Sequence, residues 1–248
     1  MTKLFNCSTI QRVKAYAFTL AETLIVIGII GVVAALTLPN LNHATGDKEK
    51  VTKVKKIYAS LTDAVDRAQA VYGPINEWFT DIENDYDAIN EREAKRITEF
   101  MKISKDCGVG EGCISSAPRI GYDGDKGDSV YDYLKDDNPY MVTLSDGMSL
   151  IFLNKNVLVD IDGPNKGKNQ NGSDLFGFIL YDMNDSYSPV DDLLGYSGNI
   201  PWTYSFASWV IQNGNLDYLK ADYDGDGDEW TCRETGKILD GVSNTSCN

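Results

Sequence analysis

Five acids crowd one short stretch of this chain: Asp222, Asp224, Asp226, Asp228 and Glu229, spaced by Tyr223, Gly225 and Gly227. Carboxylates alternating with small residues let a backbone wrap a hard cation in oxygens, and Ca²⁺ takes about six to eight such ligands. Asp222, Asp224, Asp226 and Gly227 follow the first half of an EF-hand loop. The closing bidentate Glu is missing, because Arg233 stands at its position and Glu234 comes one residue late. The stretch is a candidate Ca²⁺ site of another loop geometry; the alternative is a solvated acidic turn. Asp160-Ile161-Asp162-Gly163, continuing through Asn165 and Asn169 to Asp174, is a weaker candidate, with a hydrogen-bonded connection as its alternative. Asp123, Asp125 and Asp128 form a weaker one still. No catalytic set accompanies these acids. The only His, His43, lies beside an apolar run, so the rest of the chain cannot assemble a Ser-His-Asp triad. Gly195-Tyr196-Ser197-Gly198 lacks the last Gly of a nucleophile elbow. There is no P-loop and no dinucleotide fingerprint. The expectation is that the protein is not an enzyme.

Glu22 is the other residue whose position asks for a partner. It is the single ionisable group in the 21 residues from Phe18 to Leu38, FTLAETLIVIGIIGVVAALTL. A carboxylate inside an apolar helix costs a few kcal/mol or more and tends to mark a function. Residues 1–17 are basic (Lys3, Arg12, Lys14), free of acid, and end in the small Ala17. A cut between Ala17 and Phe18 would leave an α-amino group one helical turn before Glu22. That amine could then neutralise Glu22 of its own chain or of a packed neighbour.

The run AFTLAETLIVIGIIGVVAALTLP resembles the N-terminal signature of type IV pilins and type II secretion pseudopilins. The resemblance covers roughly residues 14–42. It implies cleavage by a prepilin peptidase between Ala17 and Phe18, where the family usually has Gly rather than Ala, and methylation of the new N-terminus. It makes Glu22 the acidic fifth residue of the mature protein that directs filament assembly, and Pro39 the proline that commonly breaks the helix. The function it implies is that of a structural subunit of a type IV pilus-like or type II secretion filament. Alternatives are a minor tip pseudopilin or adhesin, and an anchored exported binding module or enzyme that does not polymerise. Implied partners are copies of itself, other pilins or pseudopilins, the prepilin peptidase, an assembly platform protein and inner-membrane lipid. Some major pseudopilins carry a structural Ca²⁺ site, which keeps Ca²⁺ as the one candidate cofactor.

An apolar helix of this length reaches ~30 Å, the hydrocarbon core of a bilayer. The basic leader orients it with the N-terminus cytoplasmic and the remainder exported. The expected location is therefore the inner membrane as a single-pass protein, then a periplasmic or cell-surface filament. The net charge of the 248 residues is −14; losing three basic residues and no acid with the leader leaves 20 basic against 37 acidic, or −17. Such a surface excludes nucleic acid as a main partner. Cys7 belongs to the leader, so an even set remains: Cys107, Cys113, Cys232 and Cys247. In an exported protein these read as disulfides. Of three connectivities, Cys107–Cys113 and Cys232–Cys247 are favoured, because each closes a short Gly-rich or polar loop. With no CxxC and a single His, zinc is not expected.

The expected fold class is α+β and pilin-like: a long N-terminal helix, membrane-spanning in its first half, packed on an antiparallel sheet with extra short helices. The divisions are a leader (1–17), a transmembrane and filament-core helix (18–39), an amphipathic continuation (40–72) and a head (73–248). Val54, Ile57, Tyr58, Leu61, Ala64, Val65, Ala68 and Val71 recur at helical spacing and predict the buried stripe of the continuation. Gly73-Pro74 ends it. Two short helices are expected within 75–104. The sheet should begin at Tyr140, with strands at 140–144, 149–153, 157–161 and 175–181 joined as a meander. Residues 206–212 read as a short helix, and Trp202, Trp209 and Trp230 as core or loop anchors.

Overall fold

The computed structural model describes the backbone of residues 20–82, 85–110, 112–121, 125–129, 132, 134–153, 156–180, 205–224, 229–240 and 243–247, and their side chains except at 34–45, 128 and 205. Helix α1 runs Leu20–Tyr72, 53 residues, with Pro39 inside it. It stops where Gly73 turns to a φ of 82° and returns its N–H to the Gln69 carbonyl at 3.0 Å, with Pro74 barring continuation. The chain divides between Thr45 and Gly46 into two units.

In the first unit the described side chains of α1 cover residues 20–33. Among the described residues no helix is long and apolar enough to cross a membrane. The expected fold class, with its membrane-spanning half and pilin-like form, therefore gives way to α+β alone. The expected single-pass inner-membrane location is likewise not supported.

The second unit is built on the later turns of α1. Val54, Ile57, Leu61, Ala64, Val65 and Ala68 are buried there, Tyr58 is half-buried, and Val71 is 63% exposed because the last turn overhangs the core. A 3-10 turn (Ile75–Glu77) leads to α2 (Tyr86–Thr98), capped by Asp85, whose side chain accepts from the Ala88 N–H at 3.0 Å. Next come β1 (Ile103–Gly108), the short pair β2 (Pro118–Ile120) and β3 (Lys126–Ser129), and the strands β4 (Tyr140–Leu144), β5 (Ser149–Leu153), β6 (Asn156–Asp160) and β7 (Leu175–Ile179). The main sheet is antiparallel in the order β1-β4-β5-β6-β7. It begins one strand earlier than Tyr140 predicts. Strand β1 (ISKDCG) is polar, exposed or half-buried throughout and bulged against β4, so it carries no alternation to read.

Alternate residues serve two cores. Tyr140, Val142, Leu150, Phe152, Val157, Val159, Phe176 and Phe178 join the α1 stripe, while Met141, Ile151 and Leu175 pack with Cys113, Ile114 and Leu134 on the other face. Helix α3 (Ser205–Asn213) precedes a small antiparallel sheet of β8 (Ala221–Asp224), β9 (Glu229–Cys232) and β10 (Ile238–Leu239). Phe206 stacks on Tyr218 at 4.8 Å and meets Trp230 edge-on. Trp209 and Trp230 are buried anchors; Trp202 lies outside the described residues.

Candidate functional site

The N-terminal residues expected to act are divided by the extent of the structure. Ala17 and Phe18 lie outside the described residues. Glu22 stands in the first turn of α1, where a carboxylate favours the positive end of the helix dipole. Around it the side chains are apolar on every side and open to solvent: Leu20 is 80% exposed, Ile27 66% and Val26 52%, with Leu24, Ile25, Ile29, Ile30, Val32 and Val33 between those extremes. A helix apolar all round is a helix to be covered.

The acidic stretch near the C-terminus is a hairpin. Asp222 and Asp224 lie on β8 and Glu229 opens β9 opposite Asp224. Asp226 and Asp228 lie outside the described residues. Asp222 pairs with Arg233, which donates its Nε–H to Oδ1 at 2.7 Å and its Nη2–H to the Ala221 carbonyl at 3.1 Å. The residue that displaces the EF-hand Glu thus supplies the positive charge itself. Among the described residues no group of three or more His, Cys, Asp and Glu is arranged to hold a metal. Both favoured disulfides are formed, Cys107–Cys113 and Cys232–Cys247.

The Asp160–Asp174 stretch is a hydrogen-bonded connection between β6 and β7. Asp160 Oδ1 accepts from the N–H groups of Asp162 and Gly163 at 3.1 and 2.9 Å. Asp174 accepts from the N–H groups of Lys168 and Gln170. Two lysines of α1 reach the same connection: Lys53 pairs with Asp162 at 2.7 Å and Lys50 donates to Ser173. Gly163 has a φ of +77°, and a Cβ there would run into the Gly147 carbonyl. The β4–β5 turn therefore packs directly on the connection. Asp160 and Asn169 are each 1% exposed. Asp160 Oδ2 is buried with no hydrogen-bond partner, as is Asn169 Oδ1. Burial, and then the nearby charges of Asp174 and Asp162, push the Asp160 carboxyl up to about 7 against the two backbone N–H bonds.

Asp217 is a residue the sequence did not single out. It is 4% exposed, and it accepts from Lys220 at 2.6 Å, Ser246 at 2.5 Å and the Cys247 N–H at 2.9 Å. Beside it Asn215 accepts from the Trp209 indole at 3.0 Å and donates to the Thr245 carbonyl at 2.8 Å. Together they fasten the C-terminal segment that Cys232–Cys247 closes.

The class defined by these observations is an α+β chain with two disulfides and a solvent-facing apolar helical start. Comparison with protein-family models, with curated proteins and with solved structures finds no match.

Proposed function

We propose that the protein is a structural subunit of a type IV pilus-like or type II secretion filament, cut between Ala17 and Phe18 and assembled through its N-terminal helix. The observation that carries this reading is the order of residues from Ala17 to Pro39: small residue, Phe, an acid at the fifth mature position, an apolar run and a proline. The exposed apolar side chains of residues 20–33 support it, because copies of the same helix would cover them. Glu22 fits that cover. Buried among apolar helices, its carboxylate needs a cation, and the α-amino group released at Phe18 of a neighbouring copy supplies one. The remaining partners are other pilins or pseudopilins, a prepilin peptidase and an assembly platform protein.

The test is Glu22→Ala. The variant should fold and keep both disulfides, yet fail to enter sedimentable filaments. Filaments formed in parental yield would remove the basis of the reading. Mass spectrometry of the mature chain should find Phe18 at its N-terminus.

A further inference from the structure

The outer face of α2 carries a cation that neither the core nor the filament reading uses. Ala88, Arg92, Lys95 and Arg96 recur at helical spacing on the side away from buried Asn90, Ala94 and Ile97. With Tyr72 of α1 they line a groove of about 420 Å³. Most of the charge along it is spent. Arg92 donates to Asp81 and, at 2.9 Å, to the Trp78 carbonyl. Lys95 pairs with Glu91 at 2.5 Å, and Glu99 accepts from the Tyr72 hydroxyl. Arg96 differs. Its guanidinium carbon lies 4.8 Å from the Tyr72 ring centre and 5.3 Å from the Trp78 ring centre, and the two rings stand at 83° to each other. The Trp78 indole is fixed in turn by donating to the Gly73 carbonyl at 2.8 Å. Among the described residues Arg96 has no hydrogen bond and no ion pair. Burial, and then Arg92 four residues back on the same face, hold its guanidinium below the usual value. Aromatic walls thus orient the guanidinium fork without neutralising it, and a planar fork with unspent donors matches a carboxylate.

We propose that this groove binds an organic monocarboxylate, its carboxylate taken by the Arg96 fork and its apolar body laid on the Tyr72 ring and Ala88. The local charge selects the class. Arg92, Lys95 and Arg96 are already matched in number by Asp81, Glu91 and Glu99, so one further negative charge is tolerated better than the two of a phosphate. The wall selects the body, because Tyr72 keeps 37% of its surface exposed beside the guanidinium.

Titration of the full-length chain with sodium benzoate at constant ionic strength, followed at the arginine Nε–H resonances, tests this. The Arg96 resonance should shift and saturate in the millimolar range. Acetate, which has the carboxylate without the ring, and inorganic phosphate should both bind more weakly than benzoate. Arg96→Lys keeps the charge and loses the fork, so it should weaken benzoate binding about tenfold. Arg96→Gln should abolish it. A shift that rises without saturating, parental affinity in Arg96→Gln, or phosphate binding tighter than benzoate would each overturn the site. Should the variants not fold, the parent spectra decide. Saturation at Arg96 and not at the distant Arg119 and Arg233 supports the groove; equal shifts at all of them refute it.

Discussion

Asp217 and Asp160 are both buried aspartates, and their neighbours send them in opposite directions. Burial pushes the Asp217 carboxyl up, but the Lys220 ammonium, the Ser246 hydroxyl and the Cys247 N–H outweigh it and hold it below the usual carboxylate value. Because the folded value is depressed, the stabilisation is present above the ordinary carboxylate range and is lost as pH falls through the folded value. Asp217→Asn should therefore cost about 2 kcal/mol at pH 7. The gap between variant and parent should close in strong acid, which urea midpoints at the two extremes would measure. An unchanged gap would assign the loss to packing rather than charge. Nothing in the sequence separated Asp217 from the other acids, since its partners Ser246 and Cys247 are 29 and 30 residues away. Arg233 was legible as the residue that spoils an EF-hand. Its bond to Asp222 was not, because that depends on the register of β8 against β9.

Elements were legible where one periodicity decided them. The α1 stripe and the meander β4 to β7 follow from spacings of three to four and of two, and the local disulfides from loop length. The strands that escaped are β1, which is polar, the short pair β2 and β3, and the small sheet β8 to β10, where β8 alternates but turns its acids outward. Leu61, fully buried in the middle of the α1 stripe, gives the element its test. Leu61→Ala should cost about 3 kcal/mol in equilibrium unfolding, whereas Val71→Ala, on the overhanging turn, should cost well under ~1 kcal/mol. The disulfides should rank by the loops they close. Replacing Cys232 and Cys247 with Ser, a separation of 15 residues, should cost about 3 kcal/mol on chain entropy. Replacing Cys107 and Cys113, a separation of 6, should cost about 2 kcal/mol. The reverse order would mean that Cys107–Cys113 matters through its packing beneath the sheet with Ile114 and Leu134.

At the scale of the whole molecule, charge and apolar surface occupy different units. Lys3, Arg12, Lys14 and Glu22 are the only charged residues before Gly46, so 20 of the 23 basic residues and 36 of the 37 acids belong to residues 46–248, a net charge of −16. On the filament reading, helices 20–33 attract by burial while the acidic units they carry repel. That repulsion reaches ~30 Å at 0.01 M salt and only ~10 Å at 0.1 M. Apolar burial is not weakened by moderate salt, and a buried Glu22–amine pair is screened far less than exposed charge. Salt should therefore favour assembly. The critical concentration of the processed chain, measured by sedimentation of polymer, should fall several-fold between 10 mM and 150 mM NaCl. Glu22→Ala should remain unassembled at both. A critical concentration that rises with salt would mean that the units meet through complementary charge instead. Pairs at their surface, such as Lys56 with Asp146, would then be the first to test for exchange between neighbouring copies.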